Sequence, residues 1–180
     1  MAVLVEALTV VVPFHHVDKK LRGGIDFFLS NIPNQTFRHD QVLAAISFMV
    51  PDDVQLYVTF LEMHGLSYVV DGKAKDLAVV DQLKGSVLPC DWLHCLLFPW
   101  EGDPEKAVMI ATNNFDDIRQ GVAVCEGWCY EGSLSQQGKD AFTKTEDMET
   151  RFESLGRGED GYDVYRERST NENRFIKRLF

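Results

Sequence analysis

The chain has 180 residues, 45% hydrophobic, 11% aromatic and 26% charged, which excludes fibrous and low-complexity chains and fits a soluble globular protein able to bury its own core. Eighteen Lys and Arg against 28 Asp and Glu give a net charge of −10, so the averaged field repels phosphate backbones and nucleic acid is not an expected partner. The longest uncharged stretches, 7–17 and 41–51 among them, run to about 11 residues, short of the roughly 20 that span a bilayer, so no membrane partner is expected. The first twelve residues carry Glu6 and no basic leader, so a cytoplasmic location is expected.

In chain order, residues 3–12 are rich in β-branched side chains and end at Pro13, which predicts a first strand and then a break. Val17, Leu21, Ile25, Phe28, Leu29 and Ile32 recur at a helical spacing. Gly23 and Gly24 each cost about 1 kcal/mol in a helix interior, so the regular helix is expected to start at Gly24 or Ile25. Residues 43–50 form a continuous apolar run, read as a strand buried on both faces. Pro51-Asp52-Asp53 opens a helix with acids at its positive end; Val54, Tyr57, Val58 and Leu61 form its apolar stripe, and Gly65 stops it. Asp71-Gly72-Lys73 reads as a hairpin turn between 68–70 and 77–80, and a strand over 92–98 follows Pro89.

Past Trp100 the signals shorten: a polar loop at 101–104, strands over 107–111 and 121–130, and a charged segment over 139–155 carrying Phe142, Met148, Phe152 and Leu155, read as a surface helix. Ser169 and Glu172 form a capping-box pattern ahead of 174–180, whose Phe175, Ile176, Leu179 and Phe180 read as the apolar face of a terminal helix. Residues 166–180 hold five basic and two acidic side chains, +3 on a body of −13. Docking of this basic tail on the acidic body, or on a second copy of it, is expected. The fold expected is α+β: a mostly antiparallel sheet with helices on one face, in βαβ then βαβββ order, plus a C-terminal helical segment. Residues 1–138 form the core, and 139–180 dock on it as part of one structural domain. This element order resembles ferredoxin-like folds and the paired βαβββ modules of the vicinal oxygen chelate group; it carries no motif of either and transfers no function.

Four places invite chemistry. Cys90 and Cys95 are separated by four residues and Cys125 and Cys129 by three, not the two-residue loop of a zinc knuckle, so no structural zinc is expected. Gly156-Arg157-Gly158-Glu159-Asp160-Gly161 fits G-x-G-x-x-G literally, but it follows a predicted helix and carries two acids, so no dinucleotide is expected. His15 and His16, with Asp18 close by, are the candidate metal ligands, in a loop where adjacent side chains diverge. Asp81, Asp91 and His94 are the candidate catalytic residues. His94 would share a strand face with Trp92, Leu96 and Phe98, where desolvation would keep it neutral, and the two carboxylates would converge if their strands pair.

Two functions follow. One is a non-enzymatic module that binds a small molecule or a protein, as a homodimer through a sheet or the terminal helix. The other is a metal- or carboxylate-dependent enzyme using His15, His16, Asp81, Asp91 and His94.

Overall fold

The apolar run at the N-terminus makes two strands, β1 (Ala2–Val5) and β2 (Leu8–Pro13), rather than the single strand expected. Between them Ala7 takes a left-handed φ of 48°. The Thr9 hydroxyl holds this turn, accepting from the Glu6 N–H at 3.2 Å and donating to the Glu6 carbonyl at 2.9 Å. A left-handed residue redirects the chain, and β1 and β2 enter different sheets. The computed structural model describes residues 1–136, 152–157, 163–168 and 173–176. The chain divides into two compact units, Met1–Gln136 and Gln137–Phe180.

In the first unit two short helices follow, α1 (Phe14–Lys20) and α2 (Gly24–Ser30), separated at the glycine pair as expected. Next come β3 (Arg38–His39), β4 (Leu43–Phe48) and α3 (Pro51–Met63). Beyond them lie β5 (Val69–Val70), β6 (Lys73–Ala74), β7 (Ala78–Asp81), β8 (Gly85–Ser86), β9 (His94–Pro99), β10 (Ala107–Thr112) and β11 (Val122–Ala123).

An antiparallel five-stranded sheet runs β3-β4-β2-β7-β8, and a second sheet runs β11-β1-β10-β9, with β1 and β11 parallel. Asp71-Gly72 does turn a hairpin, but β6 is the return strand. β7 pairs with β2 instead, Val10 opposite Val79.

The pleat of the first sheet explains why 43–50 reads as unbroken apolar sequence. Val10, Val12, Ala44, Ile46 and Val79 face a core completed by Val17 of α1, Leu21 just past its end, Phe28 of α2 and Val54, Tyr57, Val58 and Leu61 of α3. Val11, Leu43, Ala45, Ala78 and Val80 face a second core shared with Val3, Val5, Met109 and Ala111 of the other sheet. A strand buried on both faces has no polar alternation to show. The far side of the second sheet packs Leu4, Val108 and Ile110 against Tyr130, Trp100 and Trp128. The helices therefore cover one face of one sheet, and the architecture is α+β, without the β-α-β-β-α-β order of a ferredoxin-like chain. Among the described residues no helix is long and apolar enough to cross a membrane.

In the second unit the described residues form an antiparallel meander of β12 (Phe152–Arg157), β13 (Asp163–Glu167) and β14 (Asn173–Ile176). This corrects the helical reading of the C-terminal segment. Phe152 and Leu155 lie in a strand, and so do Phe175 and Ile176, expected on a terminal helix. Val164 stands opposite Phe175, and Tyr165 opposite Arg174. β-Branched and aromatic residues gain more from cross-strand pairing than a short helix of them gains from propensity. Phe142, Met148, Ser169, Glu172, Leu179 and Phe180 lie outside the described residues.

Candidate ligand-binding groove

α3 starts at Pro51, whose fixed φ suits the first turn, and carries Asp52 and Asp53 at its positive end. Gly65 ends it with a φ of 116°, and a Cβ there would lie 2.5 Å from the Lys20 carbonyl oxygen. Two constraints, a left-handed backbone and a close approach to the end of α1, both require glycine. The inner stripe Val54, Tyr57, Val58 and Leu61 is buried as expected, whereas Leu56 and Met63 stand outside it, exposed.

Between α3, the end of β4 and the turn after α2 lies a groove of about 520 Å³, lined by Asn31, Pro33, Asn34, Phe48, Asp53, Leu56, Tyr57 and Phe60. Its walls continue an aromatic ladder: Phe48 meets Tyr57 at 5.5 Å between ring centroids, Tyr57 stacks on Phe60 at 6.1 Å, and Phe60 on Phe27 at 5.9 Å. Tyr57 is 6% exposed. Its hydroxyl is buried with no hydrogen-bond partner among the described residues. Burial pushes its pKa up, because the phenolate would have to form without water. Among the described residues, buried side-chain polar atoms of Ser86, Trp92, Trp128 and Tyr130 also lack partners, but none of these residues lines the groove.

A buried polar network holds the groove's upper wall. Asn34 donates to the Ser47 carbonyl at 3.0 Å and accepts from the Thr36 hydroxyl at 2.6 Å. Thr36 and Ser47 lead on to Arg38, a 4% exposed side chain. Its guanidinium donates to the Leu4 carbonyl at 2.7 Å, the Thr36 carbonyl at 2.7 Å and the Ser47 hydroxyl at 2.8 Å. All these acceptors are neutral, and burial brings the Arg38 pKa down to about 10. The same network reaches Thr9 and so ties the groove wall to the turn between β1 and β2.

The sequence-predicted residues are dispersed. Asp81 is buried at the end of β7 and caps its own turn, accepting from the Leu83 N–H at 2.8 Å and the Lys84 N–H at 3.1 Å. Asp91 is exposed and pairs with Lys73 at 2.8 Å. His94 is exposed, stacked on Phe115 at 4.5 Å. The expected strand face fails because β9 begins at His94, leaving Trp92 in the preceding bend.

His15 and His16 sit on α1, not in a loop, with their rings 4.1 Å apart. His16 Nδ1 lies 3.0 Å from the Asp76 carbonyl oxygen. Burial first, then His16, Lys19 and Lys20, lower the His15 pKa. Asp76, which sequence reasoning passed over, is the buried charge of this corner, 2% exposed, with Lys20 Nζ at 2.6 Å and the Ser67 N–H at 3.0 Å. No group of three His, Cys, Asp or Glu among the described residues is placed to hold a metal ion. Burial raises the Cys90 thiol and pushes Cys95 up to about 11, which suits packing more than nucleophilic chemistry. No known family model, characterised protein or solved structure matches the chain.

Proposed function

We propose that the first unit is a non-enzymatic module that binds a small, largely apolar ligand in the groove beside α3. The observation that carries this reading is the Tyr57 hydroxyl: a polar atom buried without a partner among the described residues, on a ring that walls a groove of about 520 Å³. Ligand sites are typically apolar concavities of roughly 300–1,000 Å³ with a few fixed polar groups. An unpaired buried hydroxyl costs stability and so calls for an explanation, which a bound ligand would supply. The reading requires a rim side chain to turn aside as a ligand reaches that hydroxyl, and Leu56, 69% exposed, has the freedom to do so. A cytoplasmic location belongs to the same reading, supported by the net charge of −10 and by four free cysteines.

The test is an NMR titration with tryptophol, a neutral indole whose ring N–H can donate to Tyr57. About 12 non-hydrogen atoms at ~0.3 kcal/mol each give ~4 kcal/mol, a Kd near 2 mM. Tyr57→Phe should weaken it by roughly three- to tenfold. No binding, or equal binding by the two proteins, would overturn the reading.

A further inference from the structure

We infer that the groove selects an organic cation, an amine attached to an apolar or aromatic body, and that Asp53 is its charge partner. This rests on the groove being a ligand site. Asp53 is the one charged residue in the lining. It is exposed, and no described residue pairs with it.

Its neighbours in the groove are three aromatic rings, Phe48, Tyr57 and Phe60, and a buried unpartnered hydroxyl. Aromatic rings beside a carboxylate are the surroundings that favour a cation over a neutral or anionic group of the same shape. The chain's net charge of −10 adds to this preference and opposes anions. Asp53 also lies in the first turn of α3, where its charge meets the helix dipole. The dipole favours the ionised carboxylate there, the form that attracts a cation.

Three probes share the indole ring and carry a cationic, a neutral or an anionic headgroup on a short linker: tryptamine, tryptophol and indole-3-acetate. NMR titrations of each are run on wild type and on Asp53→Asn, a change at an exposed position. Wild type should bind tryptamine about fivefold more tightly than tryptophol, and indole-3-acetate most weakly. The preference should shrink as salt is raised, and Asp53→Asn should remove most of the advantage of tryptamine over tryptophol measured on the same variant.

Equal binding of tryptamine and tryptophol by wild type would overturn the cation inference and leave the groove reading standing. So would tightest binding of indole-3-acetate. A preference that survives undiminished in Asp53→Asn would overturn the assignment to Asp53. Absence of binding by all three probes up to about 10 mM, well beyond the Kd expected of fragments this size, would overturn the groove reading itself.

Discussion

Replacing Tyr57 by Phe should make the protein more stable and a poorer binder at once. The hydroxyl is buried with no partner among the described residues, so folding strips it of water without a compensating hydrogen bond. Mutational data put that penalty at about 1–3 kcal/mol. Phe keeps the ring contacts with Phe48 and Phe60. A gain of about 1–2 kcal/mol is expected, or roughly 2–8 °C in Tm for a chain of this length.

The pH dependence gives a second signature. Burial holds the folded pKa of Tyr57 above its unfolded value of 10.0. Above pH 10 the unfolded chain releases that proton while the folded chain keeps it, so the native state binds more protons and stability falls as pH rises. Below pH 10 this contribution is constant. Urea unfolding of both proteins at pH 8, 9, 10 and 10.5 reads the difference directly. The advantage of Tyr57→Phe should stay flat to about pH 9.5 and then widen, approaching ~1.4 kcal/mol per pH unit. Equal or lower stability of the variant at pH 8, or parallel curves above pH 10, would refute the reasoning.

Arg38→Leu leaves the Leu4 and Thr36 carbonyls and the Ser47 hydroxyl without their guanidinium donor; a loss of about 3–5 kcal/mol is expected in urea unfolding. Arg38→Lys should recover little of it, since one ammonium cannot span the same acceptors. Gly65→Ala forces a left-handed alanine whose Cβ meets the Lys20 carbonyl oxygen at 2.5 Å, which should cost at least about 2 kcal/mol by the same assay. Asp76→Asn removes the charge facing Lys20 Nζ at 2.6 Å. With Lys20 partly exposed and screened, the expected loss is about 1–2 kcal/mol, and a change within ~0.5 kcal/mol would show that Asp76 acts only through its bond to Ser67.

Local periodicity carried much of the fold. The run at 43–50, the stripe Val54, Tyr57, Val58 and Leu61, and the stop at Gly65 all fall where their side chains dictate. The crossing from one sheet to the other at Ala7 was hidden because both strands are apolar, and the turn between them is held by Thr9 and Arg38 rather than by Gly or Pro. The C-terminal segment differs from its helical reading: its apolar residues satisfy a helical spacing and a capping pattern, while the pairing that overrides them is between successive strands of the same segment, which no single stretch displays. Asp76 gave no local sign: its ion-pair partner, Lys20, lies 56 positions away in sequence. Tyr57 was legible as core, and its unpaired hydroxyl was not, since pairing depends on what the fold brings within reach. For Asp81, Asp91 and His94 the expected convergence depended on two strands pairing, and β7 and β9 belong to different sheets.

The most direct test of the groove as a ligand site is a set of intermolecular NOEs from tryptophol to the isotope-labelled protein. Cross-peaks from the indole protons to the Leu56 methyls and to the Phe48 and Phe60 rings are predicted, with none to the exposed Leu97 and Phe115 beside β9. Cross-peaks confined to Leu97, Phe115 or any other surface, with Phe48, Leu56 and Phe60 silent, would contradict it.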